Sequence, residues 1–221
     1  TFLLMWLFSL SNFTVGTALS KTEVVQVILL EALLLRESIS GRGLVAILIA
    51  FSGVLVMTLG RNRLSLSALL FGLKQKATLV GLACGFALGL ASVLFRGATL
   101  SLEEGGMLMR SAYTLAIATT IQTLILLVWL RIFQPGQIQR TFTQWRSCAM
   151  VGFAGWAASI FWFMAFTLTH AAYVRALGQI ELIFTFLVSA VFFREKVSRT
   201  EIFGVILLSG AIVLLVLDKA P

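Results

Sequence analysis

Apolar residues run through this chain in long blocks separated by short polar breaks. The blocks fall at about 1–19, 22–36, 43–60, 77–100, 107–132, 148–168, 172–193 and 201–217. Most have the length a helix needs to cross roughly 30 Å of hydrocarbon at about 1.5 Å per residue. Residues 148–193 carry only His170, Arg175 and Glu181 as ionisable groups. As one helix that stretch would be about 69 Å long, so it folds back, with Thr167 to Arg175 as the natural turn. The same argument divides 1–35 near Thr14 to Lys21. Strands of alternating polarity, which a barrel would need, are not found. The pattern predicts an all-α polytopic transmembrane helix bundle of about eight spans.

Two intervening segments stand out. Residues 61–76 set five leucines between basic pairs, which suggests a short helix on the membrane surface, with an ordinary loop the alternative. Residues 134–147 open on Pro135-Gly136 and read as an extramembrane loop.

The most informative pattern is internal. The segment 18–40, ALSKTEVVQVILLEALLLRESIS, aligns without gaps to 176–198, ALGQIELIFTFLVSAVFFREKVS, 158 residues further along. Eight of the 23 pairs are identical, among them Glu23/Glu181, Arg36/Arg194, Glu37/Glu195 and Ser40/Ser198. Apolar matches are cheap in such a chain, whereas matched charges are not. The match extends back through Phe8/Phe166 and Leu10/Leu168, and forward to Gly53 and Gly210, one residue out of register. The offset covers five spans, an odd number, so the two copies point in opposite directions across the bilayer. Inverted repeats of this kind are a recurring plan of secondary transporters, with the substrate site near the midplane between halves.

These two runs, each followed by a Gly-containing apolar span, resemble the ends of the two repeats of EamA-type transporters in the drug/metabolite transporter superfamily. The resemblance implies ten helices in two five-helix repeats. On it, residues 1–60 are three helices of a partial first repeat, 61–76 a linker, and 77–217 a complete second repeat. The first two helices of the plan are then expected to be absent. It also implies export of small metabolites, such as amino acids or related compounds, across an inner or plasma membrane. Positive-inside counting puts the C-terminus outside, while the resemblance implies a cytoplasmic C-terminus, which is the expectation kept here.

Composition agrees with the membrane reading. The chain is 59% hydrophobic and 12% charged, with a net charge of +8. Lys21, Arg36, Arg42, Arg96, Arg131 and Arg194 lie at block ends, as expected of cations snorkelling to a membrane surface, and nucleic acid is not an expected partner. Cys84 and Cys148 form no disulfide or metal framework.

Candidate functional residues come from the repeat. Glu23 and Glu181 occupy equivalent positions, and a carboxylate in the bilayer is a functional candidate by default. Each lies close to a cation, Lys21 or Arg175. Lys21, Glu23, Arg175, Gln179 and Glu181 are therefore a candidate substrate-binding site that would grip a zwitterion or carry a coupling proton. The competing reading is hydrated groups near the interface. Trp156 is the best aromatic candidate for a pocket wall. Glu31, which has no carboxylate counterpart, either reaches toward Arg36 or faces a watery cavity. His170 reads as a structural group. Gly81, Gly85 and Gly89 form a packing stripe, and Arg36-Glu37 and Arg194-Glu195 read as helix ends.

No nucleophile–base set, HExxH, GxSxG or P-loop is present, so no enzyme, cofactor or metal is expected. The expected partners are a small-molecule substrate, protons as a candidate coupling ion, the lipid bilayer, and a second copy of the chain as a candidate homodimer. A non-transporting scaffold or lipid-binding module is the competing function.

Overall fold

A computed structural model of the chain describes residues 2–9, 19–62, 76–134, 136–194 and 197–219. The described residues form helices: α1 (Phe2–Ser9), α2 (Glu23–Leu34), α3 (Gly41–Asn62), α4 (Lys76–Leu100), α5 (Met107–Phe133), α6 (Gln137–Thr143), α7 (Trp145–Leu168), α8 (Ala171–Gly178), α9 (Ile180–Leu187) and α10 (Arg199–Lys219). Among the described residues, six stretches are long and apolar enough to cross a membrane: Gly41–Thr58, Thr78–Leu100, Met107–Phe133, Trp145–Leu168, Ala171–Phe192 and Arg199–Asp218. The other two expected spans coincide with α1 and α2, of 8 and 12 residues. The expected surface helix falls on 63–75, outside the described residues. The expected loop at 134–147 instead holds the two-turn helix α6, entered through Gly136 at φ +94°.

The chain divides into two compact units, residues 1–94 with 170–221, and residues 95–169. In the second unit, Phe95 stacks on Phe163 at 4.6 Å, and Ser111 and Thr167 share a 2.9 Å hydrogen bond. Few residues of either helix are buried: Ser111, Thr114 and Leu115 in α5, Phe163 and Phe166 in α7. Leu124, Ile125, Val128, Val151 and Phe153 therefore stand on an apolar exterior, which lipid tolerates and water does not.

The first unit is built on the crossing of α3 and α10. Ser40 reaches Asp218 at 2.7 Å at one end, while Gly60 faces Thr200 and Glu201 at the other, so the helices run antiparallel. These are the equivalent last helices of the two sequence copies, and antiparallel pairing of equivalents is what inversion requires. Their contact is close because Gly53 lies against Gly204 and Leu208. The 158-residue register holds without the expected slip. Ala211, in register with Gly53, is fully buried, whereas Gly210 has open space around it.

Two of the identical pairs acquire physical roles. Arg36 and Arg194 sit at φ +55° and +52°, the described non-glycine residues of left-handed backbone, Arg36 just past α2 and Arg194 just past the π-helical turn Val188–Phe192 that continues α9. That conformation reverses the chain, and glycine normally supplies it. Ser40 then caps the next helix, its Oγ accepting from Gly43 N at 2.9 Å. Ser198 does the same for Glu201 N at 3.1 Å, with the Glu201 carboxylate accepting from Ser198 N at 2.7 Å to complete a capping box. Arg36→Gly is expected to raise the melting temperature in detergent slightly, since it relieves about 1 kcal/mol of left-handed strain. A loss of stability would show that the Arg36 side chain holds the turn.

Candidate functional site

Both copies interrupt a helix at the same place. In the second copy, α8 ends at Gly178 and α9 begins at Ile180, with Gln179 between them. Gln179 N bonds Ala176 O at 3.2 Å and Leu182 N bonds Gln179 O at 2.9 Å, a tightened turn in place of the α ladder. In the first copy, Leu19 and Ser20 are helical, Lys21 and Thr22 form a turn, and α2 begins at Glu23. Lys21–Thr22 is thus the counterpart of a break inside a span, not of the turn between spans at Thr169–His170. The expected division at Thr14–Lys21 falls, for 14–18, outside the described residues.

The break at Gln179 lies mid-way along the 22-residue span Ala171–Phe192. Each break is followed at once by its glutamate, Glu23 or Glu181, in the first turn of the new helix. There the helix dipole favours a negative group.

Each glutamate takes a cation from the other copy. Arg175 pairs with Glu23, whose side chain is 4% exposed, and Lys21 Nζ bonds Glu181 Oε1 at 2.8 Å, with the Glu181 side chain 62% exposed. The carboxylates are in register, but the cations are not. Lys21 aligns with Gln179 and Arg175 with position 17, so the cations stand one helical turn apart on equivalent helices. The outcome is one closed pair and one open pair. Gln179 is buried and donates to Arg175 O at 3.3 Å. The amide oxygens of Gln179 and Gln26 are buried without a hydrogen-bond partner among the described residues. Such acceptors seek a donor. Gly85 sets α4 against this break, since a Cβ there would lie 2.8 Å from Ser20 O. Gly89 packs on Val27, so the glycine stripe serves helix contact.

Five of the six expected site residues, Lys21, Glu23, Arg175, Gln179 and Glu181, thus meet in the first unit. Trp156 belongs to the second unit, where its side chain is exposed and its ring lies 5.9 Å from that of Phe153.

Some residues behave differently from expectation. Glu31 meets the backbone of the other copy. It is fully buried, and its carboxylate accepts from Ala171 N at 2.8 Å and Ala172 N at 3.2 Å, at the N-terminus of α8. His170 Nδ1 lies 3.4 Å from Glu31 Oε1 and 3.0 Å from Glu37 Oε2. Nearby, Tyr173 Oη donates to Asp218 Oδ2 at 2.8 Å. Arg96 is no snorkelling cation: it is buried, and donates to Phe166 O and Thr169 O at the C-terminal end of α7. Arg110 likewise donates to Thr99 O at the end of α4, at 2.8 Å. Both place positive charge where a helix leaves its carbonyls unpaired.

Comparison with known proteins adds one finding: the model of the EamA-like transporter family matches residues 75–217. No curated protein matches the chain.

Proposed function

The chain belongs to the EamA-like transporter family, and from that premise we propose that it is a secondary transporter exporting small metabolites, amino acids or related compounds, across an inner or plasma membrane. Membership itself makes the chain an integral membrane transporter of the drug/metabolite class. The finer reading rests on one observation, the charge-balanced cluster at the two helix breaks. Two carboxylates and two cations, cross-paired between inverted copies, sit where a span is broken near its middle. Broken half-helices at a repeat interface are where secondary transporters hold substrate.

The open pair is the working part of the site. A zwitterion would place its ammonium on Glu181 and its carboxylate on Lys21, exchanging one ion pair for two. With substrate gone, Glu181 is the group placed to take a coupling proton. The closed pair, Arg175 with Glu23, holds the two copies in register. The buried amide oxygens of Gln179 and Gln26 supply further acceptors for a substrate ammonium. Residues 77–217 are read as the complete second repeat and 1–60 as part of the first, from the internal alignment of 18–40 with 176–198.

The test is counterflow in liposomes with a panel of amino acids and related metabolites, comparing wild type with Glu181→Gln. Loss of an exposed pair costs about 1 kcal/mol or less, so the variant should melt near wild type. Its flux should fall by about tenfold or more, the equivalent of about 1.4 kcal/mol in substrate affinity or barrier, and should lose its pH dependence. Unchanged flux and pH dependence would remove Glu181 from the mechanism. No counterflow with any compound in wild type would favour a scaffold.

A further inference from the structure

The polar cluster around His170 lies outside the transport site, and its geometry is that of a coordination sphere. We propose that Glu31, Glu37 and His170 form a binding site for a divalent transition-metal ion of the zinc class, shared between the two inverted copies.

Three ligand atoms converge here, Glu31 Oε1, Glu37 Oε2 and His170 Nδ1, all within 4.8 Å of one another. Nδ1 stands 3.4 Å and 3.0 Å from the two oxygens. Two donors each about 2.1 Å from one ion are separated by roughly 3.0 Å at a right angle and 3.4 Å at the tetrahedral angle. Both observed separations match. A hydrogen-bonded histidine would account for the same distances only if its N–H pointed at an oxygen, yet the buried Nδ1 has no hydrogen-bond partner among the described residues. An ion beside the two carboxylates would supply the partner that Nδ1 lacks.

The surroundings supply what a metal site needs beyond its ligands. The two amides at the start of α8 orient the Glu31 carboxylate, as hydrogen-bonded carboxylate ligands usually are. The Tyr173 ring meets the imidazole edge-on at 5.5 Å and fixes its plane. The left-handed turn at Arg36 folds the chain after α2 so that Glu37 comes back to His170. The side chains of His170 and Glu37 are partly exposed, at 20% and 28%, which leaves an entry path and room for a water as fourth ligand. Two carboxylates with a neutral imidazole balance a doubly charged ion. Two His-free oxygen ligands and one nitrogen suit zinc, manganese or cobalt rather than soft copper(I). An ion here ties the end of α2 to the start of α8, the two helices that carry Glu23 and Arg175.

The site stands independently of the transport reading, because binding is measured without flux. The chain, purified in detergent and stripped with chelator, is titrated with zinc chloride by calorimetry and with cobalt(II) by absorption. One saturable equivalent is expected, with cobalt d–d bands, and zinc should raise the melting temperature, since a ligand that binds only the folded state stabilises it. Glu37→Gln and His170→Gln are each expected to weaken binding about tenfold or more and to abolish the zinc-dependent rise, while melting near wild type in metal-free buffer. Absence of saturable binding by both ions overturns the proposal. So does binding undiminished in both variants, which would place the metal elsewhere.

Discussion

Arg175→Ala is expected to abolish both folding yield and transport, a larger effect than any other single change at the site. Its partner Glu23 is buried at the head of α2. Removing one partner of a buried ion pair leaves an uncompensated charge and costs about 3–5 kcal/mol. That is a large part of the roughly 5–15 kcal/mol that holds a typical domain together. Arg175→Lys should be intermediate, since it keeps the charge but loses the planar fork. The double variant Glu23→Gln/Arg175→Gln removes both charges, so it should recover much of the folding yield without recovering transport. Gel filtration and thermal melting in detergent separate the two losses. An Arg175→Ala protein melting within a degree or two of wild type would show that the pair is not stabilising. Lys21→Ala gives the contrast: its partner Glu181 is largely exposed, so melting should barely move while counterflow falls.

The sequence carried the inverted plan and most of the candidate site, because charge is scarce in this chain and its repetition is conspicuous. Glu23 and Glu181 were legible through their alignment, and the cations through proximity. The cross-pairing was not legible. Alignment equates Lys21 with Gln179, whereas the pairs form between copies, with cations one turn out of register. The helix breaks were hidden as well. Lys21–Thr22 looks like a turn between spans, and only Gln179, set inside a 22-residue span, shows that such a position interrupts a helix. Glu31 left no signal, because its counterpart is a serine and its partners are backbone amides, which any residue supplies. Arg96 was misread for a related reason: the carbonyls it serves at the end of α7 have no sequence signature. Asp218 was overlooked because it sits at the end of the last apolar block, where a surface charge is the ordinary expectation, and only the fold brings Ser40 and Tyr173 to it.

Gly204→Val should be strongly destabilising and Gly210→Val nearly neutral, although both are glycines of one helix. A Cβ at Gly204 would lie 2.6 Å from Met57 N, 2.8 Å from Met57 Cβ and 2.9 Å from Gly53 O. Two of those three atoms are backbone, so no rotamer change can make room, and α3 and α10 must separate. Membrane helices associate through close packing rather than through expulsion of water, so separation loses much of what joins them. Overpacking costs about 1–3 kcal/mol where side chains can adjust, and more is expected where they cannot. A Cβ at Gly210 meets nothing within 4 Å, so valine there points into open space. Thermal melting of Gly204→Ala, Gly204→Val and Gly210→Val in one detergent should give a steep order for the first two and wild-type behaviour for the third. The α3–α10 crossing joins the last helices of the two copies, so Gly204→Val should also remove transport, despite every charge at the helix breaks being intact. If Gly204→Val melts with Gly210→Val, the crossing is looser than its contacts indicate. The inverted copies would then be held mainly by the Arg175–Glu23 pair.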